Sequence, residues 1–369
     1  MRIVIRADAS ISIGTGHIMR CLTLSEQLIA RQYEVIFICR DHQGNMIDFI
    51  RNKGYQVFVL KKSDLTENQE DGYLSWLGAE WDTDAQQTIE YLNQIKGIDW
   101  VIVDHYAIDW RWEERVLSYR RPTQLMVIDD LANRRHTCHI LLDQNLSLNS
   151  TRYRQLLPDS TTTYLGPTYA LLRDEFIHTH KKVGARNGTI KNITVFYGGT
   201  DLTGETLKVV RALSELPLDQ IGIRVIVGPN NPRRLKIKEI CRLLSNYKIE
   251  DYVSNMAELM LQTDLFIGAG GSTTWERCML GVPSITTVIA DNQKEITEAV
   301  EHYGATWNLG ECSKVDETTI IQAVRYAVTH PLEVYKMSMR CLDVIGDYQG
   351  PSVIIDRMAS LKKGDDINV

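Results

Sequence analysis

A chain of 369 residues of which 44% are hydrophobic exceeds the usual size of one core and can fill two, so two domains are expected. Its net charge of −6 and pI near 5.9 exclude a general electrostatic pull toward nucleic acid or an anionic bilayer, so any anion site has to be built locally. There is no run of about 18 apolar residues and no leader pattern. The seven cysteines are scattered without Cys-x-x-Cys spacing, as small hydrophobes in a reducing compartment would be. A soluble cytoplasmic protein is expected, with neither a nucleic-acid nor a membrane partner.

The chain opens on an apolar strand, Ile3-Val4-Ile5, and runs through Asp8 into Ile11-Ser12-Ile13-Gly14-Thr15-Gly16-His17-Ile18-Met19-Arg20. Beyond it Ile18, Cys21, Leu22, Ser25, Leu28 and Ile29 recur at helical spacing, which puts the glycines in a strand-to-helix turn. Gly14 and Gly16 let the backbone approach a ligand, and the N–H groups that open the helix favour an anion or a polarised oxygen. His17, at the helix start, is the residue type best suited to accept a proton near neutral pH. The plainer alternative is an ordinary turn whose histidine only bonds its surroundings.

Apolar runs at 34–39, 56–60, 100–103, 125–128 and 140–142 read as further strands, separated mostly by helices. This is the pattern of a mainly parallel sheet covered on both faces. Residues 61–84 are polar and acidic with two tryptophans, and read as a surface loop entering a helix at 85–95. Asp82-Thr83-Asp84 has the spacing of a metal–diphosphate motif. No apolar strand precedes it, so it reads as solvated acidic loop. Three strand ends are chemically loaded: Asp104-His105-Tyr106, Asp129-Asp130 and Asp143-Gln144-Asn145. Side chains just past the carboxyl ends of strands line the crevice of an open α/β sheet, although each carboxylate alone also suits a cap.

Residues 181–191 hold four basic residues, glycine and asparagine with little apolar content. They read as the linker between an N-terminal domain at 1–180 and a C-terminal one at 192–369. Arg173, just before this stretch, suits either a surface ion pair or a diphosphate clamp. The strand pattern then restarts at 193–197, which ends in Gly198-Gly199-Thr200-Asp201, and continues at 223–227, 265–267 and 284–288. Tyr252-Val253-Ser254-Asn255-Met256 opens a helix running to 261. After the 265–267 strand comes Gly268-Ala269-Gly270-Gly271-Ser272-Thr273-Thr274-Trp275-Glu276, whose glycines and hydroxyls would expose donors to a phosphate. Glu276, one helical turn in, could reach a ribose hydroxyl pair. The alternative is a plain glycine-rich turn capped by Ser272 or Thr273. The 284–288 strand ends near Ala290-Asp291-Asn292-Gln293. The expected fold class is α/β, two Rossmann-like domains facing a central cleft in the GT-B glycosyltransferase-like manner. Residues 331–361 read as helices, the last of them able to cross back to the first domain.

Taken in order, Arg6-Ala7-Asp8-Ala9-Ser10, Gly14-Thr15-Gly16-His17-Ile18-Met19-Arg20-Cys21, Asp104-His105-Tyr106, Ile128-Asp129-Asp130-Leu131-Ala132, Leu142-Asp143-Gln144-Asn145, the Gly166–Arg173 stretch, the 268–276 turn and 290–293 resemble a known family. It is that of the UDP-2,4-diacetamido-2,4,6-trideoxy-β-L-altropyranose hydrolases of pseudaminic acid biosynthesis. The resemblance spans about residues 2–300; 61–84 and the tail beyond about 314 match less clearly. It implies transfer of the sugar to water by inverting attack at C1, with a product that feeds a nine-carbon acidic sugar for flagellin or surface polysaccharide.

The resemblance also implies roles. His17 is the base, in the turn built by Gly14 and Gly16. Glu276 is the ribose ligand, the chain near Val253 is the uracil platform, and Tyr106 and Asn292 lie on the sugar side. Gly270, Gly271, Ser272, Thr273 and Thr274, with Arg173, would neutralise the departing diphosphate, so neither metal nor other cofactor is expected. Asp8 would orient His17 or a sugar hydroxyl. The alternative function is a UDP-sugar-dependent glycosyltransferase, in which His17 activates an acceptor hydroxyl.

Overall fold

The computed structural model describes residues 1–61, 72–119 and 123–361. The chain divides into two units. One comprises Met1–Asn145, Asn149–Leu171 and the chain from Gln349 onward; the other comprises Leu146–Leu148 and Leu172–Tyr348.

The first unit is built on strands β1 (Arg2–Ala7), β2 (Glu34–Arg40), β3 (Gln56–Leu60), β4 (Trp100–Asp104), β5 (Gln124–Ile128), β6 (Ile140–Asp143) and β7 (Thr162–Leu165). They form one parallel sheet in the order β3-β2-β1-β4-β5-β6-β7. Strand alternation decides which face each residue serves. Ile3 and Ile5 of β1 pack with Ile102, Met126 and Leu142 beneath helices α1 (Gly16–Ala30) and α13 (Gly350–Ser360), which contribute Ile18, Leu22, Ile354 and Met358. Val4 faces the other way, with Val101 and Leu125. Helices α3 (Trp81–Gln94) and α4 (Trp110–Tyr119) cover that side with Ile89, Leu92, Trp112 and Val116. The short α2 (Ile47–Asn52) follows β2. Arg31, just past α1, fastens α13 by donating to Ser352 Oγ at 2.7 Å and pairing with Asp356.

The second unit repeats the plan with β8 (Asn192–Phe196), β9 (Gly222–Ile226), β10 (Tyr247–Glu250), β11 (Leu265–Ala269), β12 (Ser284–Val288) and β13 (Trp307–Glu311). Its parallel order is β10-β9-β8-β11-β12-β13. The helices are α5 (Asp174–His180), α6 (Glu205–Ser214), α7 (Arg234–Arg242), α8 (Met256–Leu261), α9 (Thr273–Met279), α10 (Lys294–His302), α11 (Glu317–Thr329) and α12 (Pro331–Ile345). Strand order reverses between β1 and β4 in one sheet and between β8 and β11 in the other. Ligands bind at such switch points in open α/β sheets, where loops diverge at the strands' carboxyl ends. The two glycine-rich turns follow β1 and β11.

The strands expected from apolar runs are present to within about two residues at either end, and Ser284–Val288 coincides. Strands β7, β10 and β13 lack an apolar run; each lies at a sheet edge and buries at most one residue. The helix expected from 252 begins only at Met256, where Asn255 accepts the Glu258 N–H at 2.9 Å. Residues 181–191 lie within the second unit. There Arg186 donates to Met260 O at 2.8 Å and to Thr263 O at 3.3 Å, satisfying carbonyls at and just past the end of α8.

One expectation is overturned at 61–84, of which 62–71 lie outside the described residues. Helix α3 starts at Trp81, and Asp84 is fully buried in its first turn rather than solvated. Its carboxylate accepts from Arg6 at 2.7 and 3.2 Å, from Arg40 at 2.7 Å and from Trp112 Nε1 at 2.9 Å. Arg6 and Arg40 stand on the neighbouring strands β1 and β2, separated by long stretches of sequence, so local pattern could not reveal the pairing. Asp84→Ala should lower stability by about 3–5 kcal/mol by leaving two buried guanidinium groups short of charge. Urea unfolding checks this, and a loss under about 1 kcal/mol would contradict it.

Candidate active site

Register places Asp104 of β4 opposite Ala7, the last residue of β1. Between them the chain leaves β1 through a tight turn. Gly14 has φ +78° and donates its N–H to Ser10 O at 2.9 Å, while Ser10 Oγ accepts from the Ser12 and Ile13 N–H groups at 3.2 and 2.9 Å. A side chain at position 14 would strain that backbone. Gly16 then opens α1, and His17 follows with only 7% of its surface exposed.

His17 Nδ1 lies 2.6 Å from Asp104 Oδ1. Arg20, one turn along α1, grips the same carboxylate with Nε to Oδ2 and Nη2 to Oδ1, both at 2.6 Å, and its Nη1 reaches Asp130 Oδ2 at 2.6 Å. Burial would raise the Asp104 pKa, but the Arg20 guanidinium and His17 overcome it and hold the group well below the usual carboxylate range. The ionised Asp104 therefore accepts from Nδ1–H. Arg20 Nη2 also lies 3.3 Å from Nδ1, a longer contact that leaves this proton in place. That tautomer leaves a lone pair on Nε2, which bonds no described residue. Tyr106 closes the circuit: its hydroxyl donates to Asp130 Oδ2 at 2.6 Å and its ring meets the imidazole edge-on at 4.5 Å.

Gly14, Gly16, His17 and Tyr106 thus come together, but Asp8 does not join them. It is fully buried on the β2 side, where Oδ1 accepts the Arg40 N–H at 2.6 Å and pairs with Arg6 at 2.7 Å. Its other oxygen faces His105 and His42 at 3.4 and 3.6 Å. The carboxylate on His17 is Asp104, because β4 rather than the end of β1 flanks the imidazole. In sequence Asp104 reads only as one of three polar strand ends, and Arg20 carries no site signal of its own. The i, i+3 spacing of His17 and Arg20 on one helix face was the available signal.

In the second unit Ser272 precedes α9, without a side-chain cap bond. Thr273 and Thr274 accept from Arg277 at 3.2 and 3.0 Å, and Arg277 also donates to Ala269 O at 3.1 Å. Gly270 is obligatory for packing: a Cβ there would stand 1.9 Å from Thr297 Oγ1. Gly271 faces Gln293, which adjoins Asn292 in the turn before α10. Arg173 and Glu276 meet each other, with Nε and Nη2 at 3.1 and 2.9 Å from Oε1. Burial raises the Glu276 pKa and Arg173 opposes the shift. Oε2 is buried and has no hydrogen-bond partner among the described residues, an acceptor suited to a hydroxyl. Val253 lines an open groove of about 300 Å³ together with Tyr252, Ser254 and Asn255. No group of described histidine, cysteine and carboxylate side chains is arranged to hold a metal ion.

Beside the His17 circuit, Asp143 at the end of β6 accepts from the Asn145 N–H at 2.9 Å and the Tyr153 hydroxyl at 3.2 Å. Burial, reinforced by the charge of Asp130, pushes its pKa up to about 8 despite Arg152. The folded protein therefore binds this proton more tightly than the unfolded chain. The stabilisation is complete below the ordinary carboxylate pKa of about 3.9 and is lost as pH rises through about 8. Across that window the unfolding midpoint of Asp143→Asn should fall less than that of the wild type, and equal slopes would contradict the assignment.

Residues 193–344 match the glycosyltransferase family 28 C-terminal domain. Over 283 residues, 76% of this chain and 89% of the relative, it is 28% identical to a UDP-2,4-diacetamido-2,4,6-trideoxy-β-L-altropyranose hydrolase of Campylobacter jejuni. It is 24% identical over 338 residues, 90% of this chain and 91% of the relative, to the spore coat polysaccharide biosynthesis protein SpsG of Bacillus subtilis. Among solved structures, Acinetobacter baumannii MurG superposes with a TM-score of 0.65 at 12% identity, covering 98% of this chain and 99% of its own, which establishes a shared fold. The resemblance drawn from the ordered motifs is therefore borne out: this is an enzyme of the two-domain glycosyltransferase fold, whose second unit matches the family 28 C-terminal domain and which is similar to an altropyranose hydrolase over three quarters of its length.

Proposed function

We propose that the protein hydrolyses UDP-2,4-diacetamido-2,4,6-trideoxy-β-L-altropyranose. Water attacks C1 with inversion, giving UDP and a free sugar destined for a nine-carbon acidic sugar of flagellin or surface polysaccharide. The observation that carries this reading is the His17–Asp104 pair at 2.6 Å, with Arg20 fixing the carboxylate and Nε2 left as acceptor. In that arrangement Nε2 takes a proton from the attacking water, while Asp104 stabilises the imidazolium that forms.

The glycosidic oxygen leaves on UDP, whose negative charge needs neutralising more than protonating. The 270–274 turn supplies donors in the second unit without a metal. Arg277 supports that role from beneath: as a donor-only group it makes the Thr273 and Thr274 hydroxyls acceptors, so their own protons are available to a phosphate. Glu276 Oε2 takes a ribose hydroxyl, and Arg173 holds the other oxygen in place rather than clamping phosphate. Seven free thiols and a soluble nucleotide-sugar substrate suit a cytoplasmic enzyme.

Proton and phosphorus NMR of the protein with this UDP-sugar, in EDTA and without an acceptor, tests the reading. UDP and one anomer of free sugar should appear together. Binding without turnover would favour a glycosyltransferase that awaits its acceptor, the reading that the family 28 match and the fold also accommodate. His17→Ala should lower kcat by about two orders of magnitude or more while UDP still binds; unchanged turnover would exclude His17 as the base. Glu276→Ala should weaken UDP binding about tenfold to a hundredfold, with little effect on a 2′,3′-dideoxy UDP. An equal loss for both nucleotides would remove the ribose assignment.

A further inference from the structure

The segment entering α3, within a stretch that matches the hydrolase family less clearly, brings two aromatic residues to His17. Tyr73–Leu77 forms a short 3-10 turn. It is anchored by Leu77, buried among the side chains beneath α3 and α4. Gly78 presses against His42, where an added Cβ would stand 2.6 Å from the imidazole. So held, the Trp76 ring stacks on Tyr106 at 5.7 Å and 25° and meets His17 edge-on at 6.3 Å. Tyr73 stands edge-on to both Trp76 and Tyr106, at 4.8 and 5.1 Å. Trp76 is half-buried, and its indole N–H donates to no described residue, whereas that of Trp112 is spent on Asp84.

Resting on the hydrolase reading above, we propose that Trp76 is a specificity-determining substrate contact. Its indole, backed by Tyr73 and Tyr106, takes the apolar acetamido- and methyl-bearing side of a 6-deoxy sugar next to His17, and its N–H donates to an acetamido carbonyl. The chemistry follows from position. A water activated by His17 must lie about 3–3.5 Å from C1, so the pyranose has to sit beside this wall. An aromatic face favours C–H and methyl groups. Where a hydroxyl replaces hydrogen at C6, the aromatic face desolvates it without offering a partner, and a hydroxyl in place of an acetamido group lacks the carbonyl that the indole N–H reaches.

Two readouts test this. In kinetics, Trp76→Ala should lower kcat/KM for the diacetamido trideoxy substrate about tenfold to a hundredfold and narrow its preference over UDP-N-acetylglucosamine, with UDP affinity unchanged. Trp76→Phe should keep most of the stacking and lose only severalfold. In binding, protein labelled with 5-fluorotryptophan should show one fluorine resonance, absent from Trp76→Phe, that shifts with the UDP-sugar and not with UDP alone. An unchanged preference, a parallel loss of UDP affinity, or a resonance indifferent to the sugar would overturn the proposal. If the wild type does not turn over but this resonance still moves with the UDP-sugar, the hydrolase reading fails and the contact stands.

Discussion

The first unit is organised around one buried carboxylate shared by a guanidinium and an imidazole. Asp104 cannot stay ionised inside a protein without compensation, and the bidentate grip of Arg20 supplies it. Because the carboxylate is charged and fixed, it dictates which imidazole nitrogen carries the proton and so which one faces outward. Arg20 extends the constraint by holding Asp130 beyond the end of β5 with its remaining arm, and Asp130 holds Tyr106. The direction of one lone pair on His17 therefore depends on α1, β4 and the loop after β5 together.

A second set of buried charges stands next to the first. Arg6, Asp8, Arg40 and Asp84 are all inaccessible to solvent, and their ion pairs tie β1 and β2 to α3. Apolar side chains of similar volume would stabilise that region as well or better. What charged groups add is direction, since a guanidinium and a carboxylate bond well in few orientations. This places rigid, directional contacts behind the edge of the sheet where the glycine turn departs from β1, and the same segment of chain that leads into α3 carries Trp76 to His17.

The second unit handles charge differently. Arg277, buried beneath the glycine turn, has no carboxylate partner among the described residues; it bonds a carbonyl and two hydroxyls and leaves Nε unsatisfied. Burial lowers its pKa, the mark of a cation held at a cost. An anion bound above the turn would relieve that cost, as the proposed diphosphate site requires. Glu276 carries the complementary burden, an acceptor oxygen buried without a donor among the described residues. Polar groups left unsatisfied where a ligand is expected are more informative than the same residue types read along the chain.

Local pattern alone determined the repeated parallel α/β plan, most of the strands, the two glycine turns and His17, because a buried strand needs a run of apolar residues and a tight turn needs glycine. It also carried the ordered motifs behind the family resemblance. Edge strands β7, β10 and β13 escaped it, since half-exposed positions impose no such run. Only the tertiary structure decided that Asp104 rather than Asp8 bonds His17, that Asp84 is a buried ionic hub rather than part of a solvated loop, that Arg173 and Glu276 bind each other, and that Trp76 meets His17. Each of those partnerships joins residues tens of positions apart across neighbouring strands or turns. A carboxylate's role is set by the cation it meets, and no periodicity along the chain records that meeting.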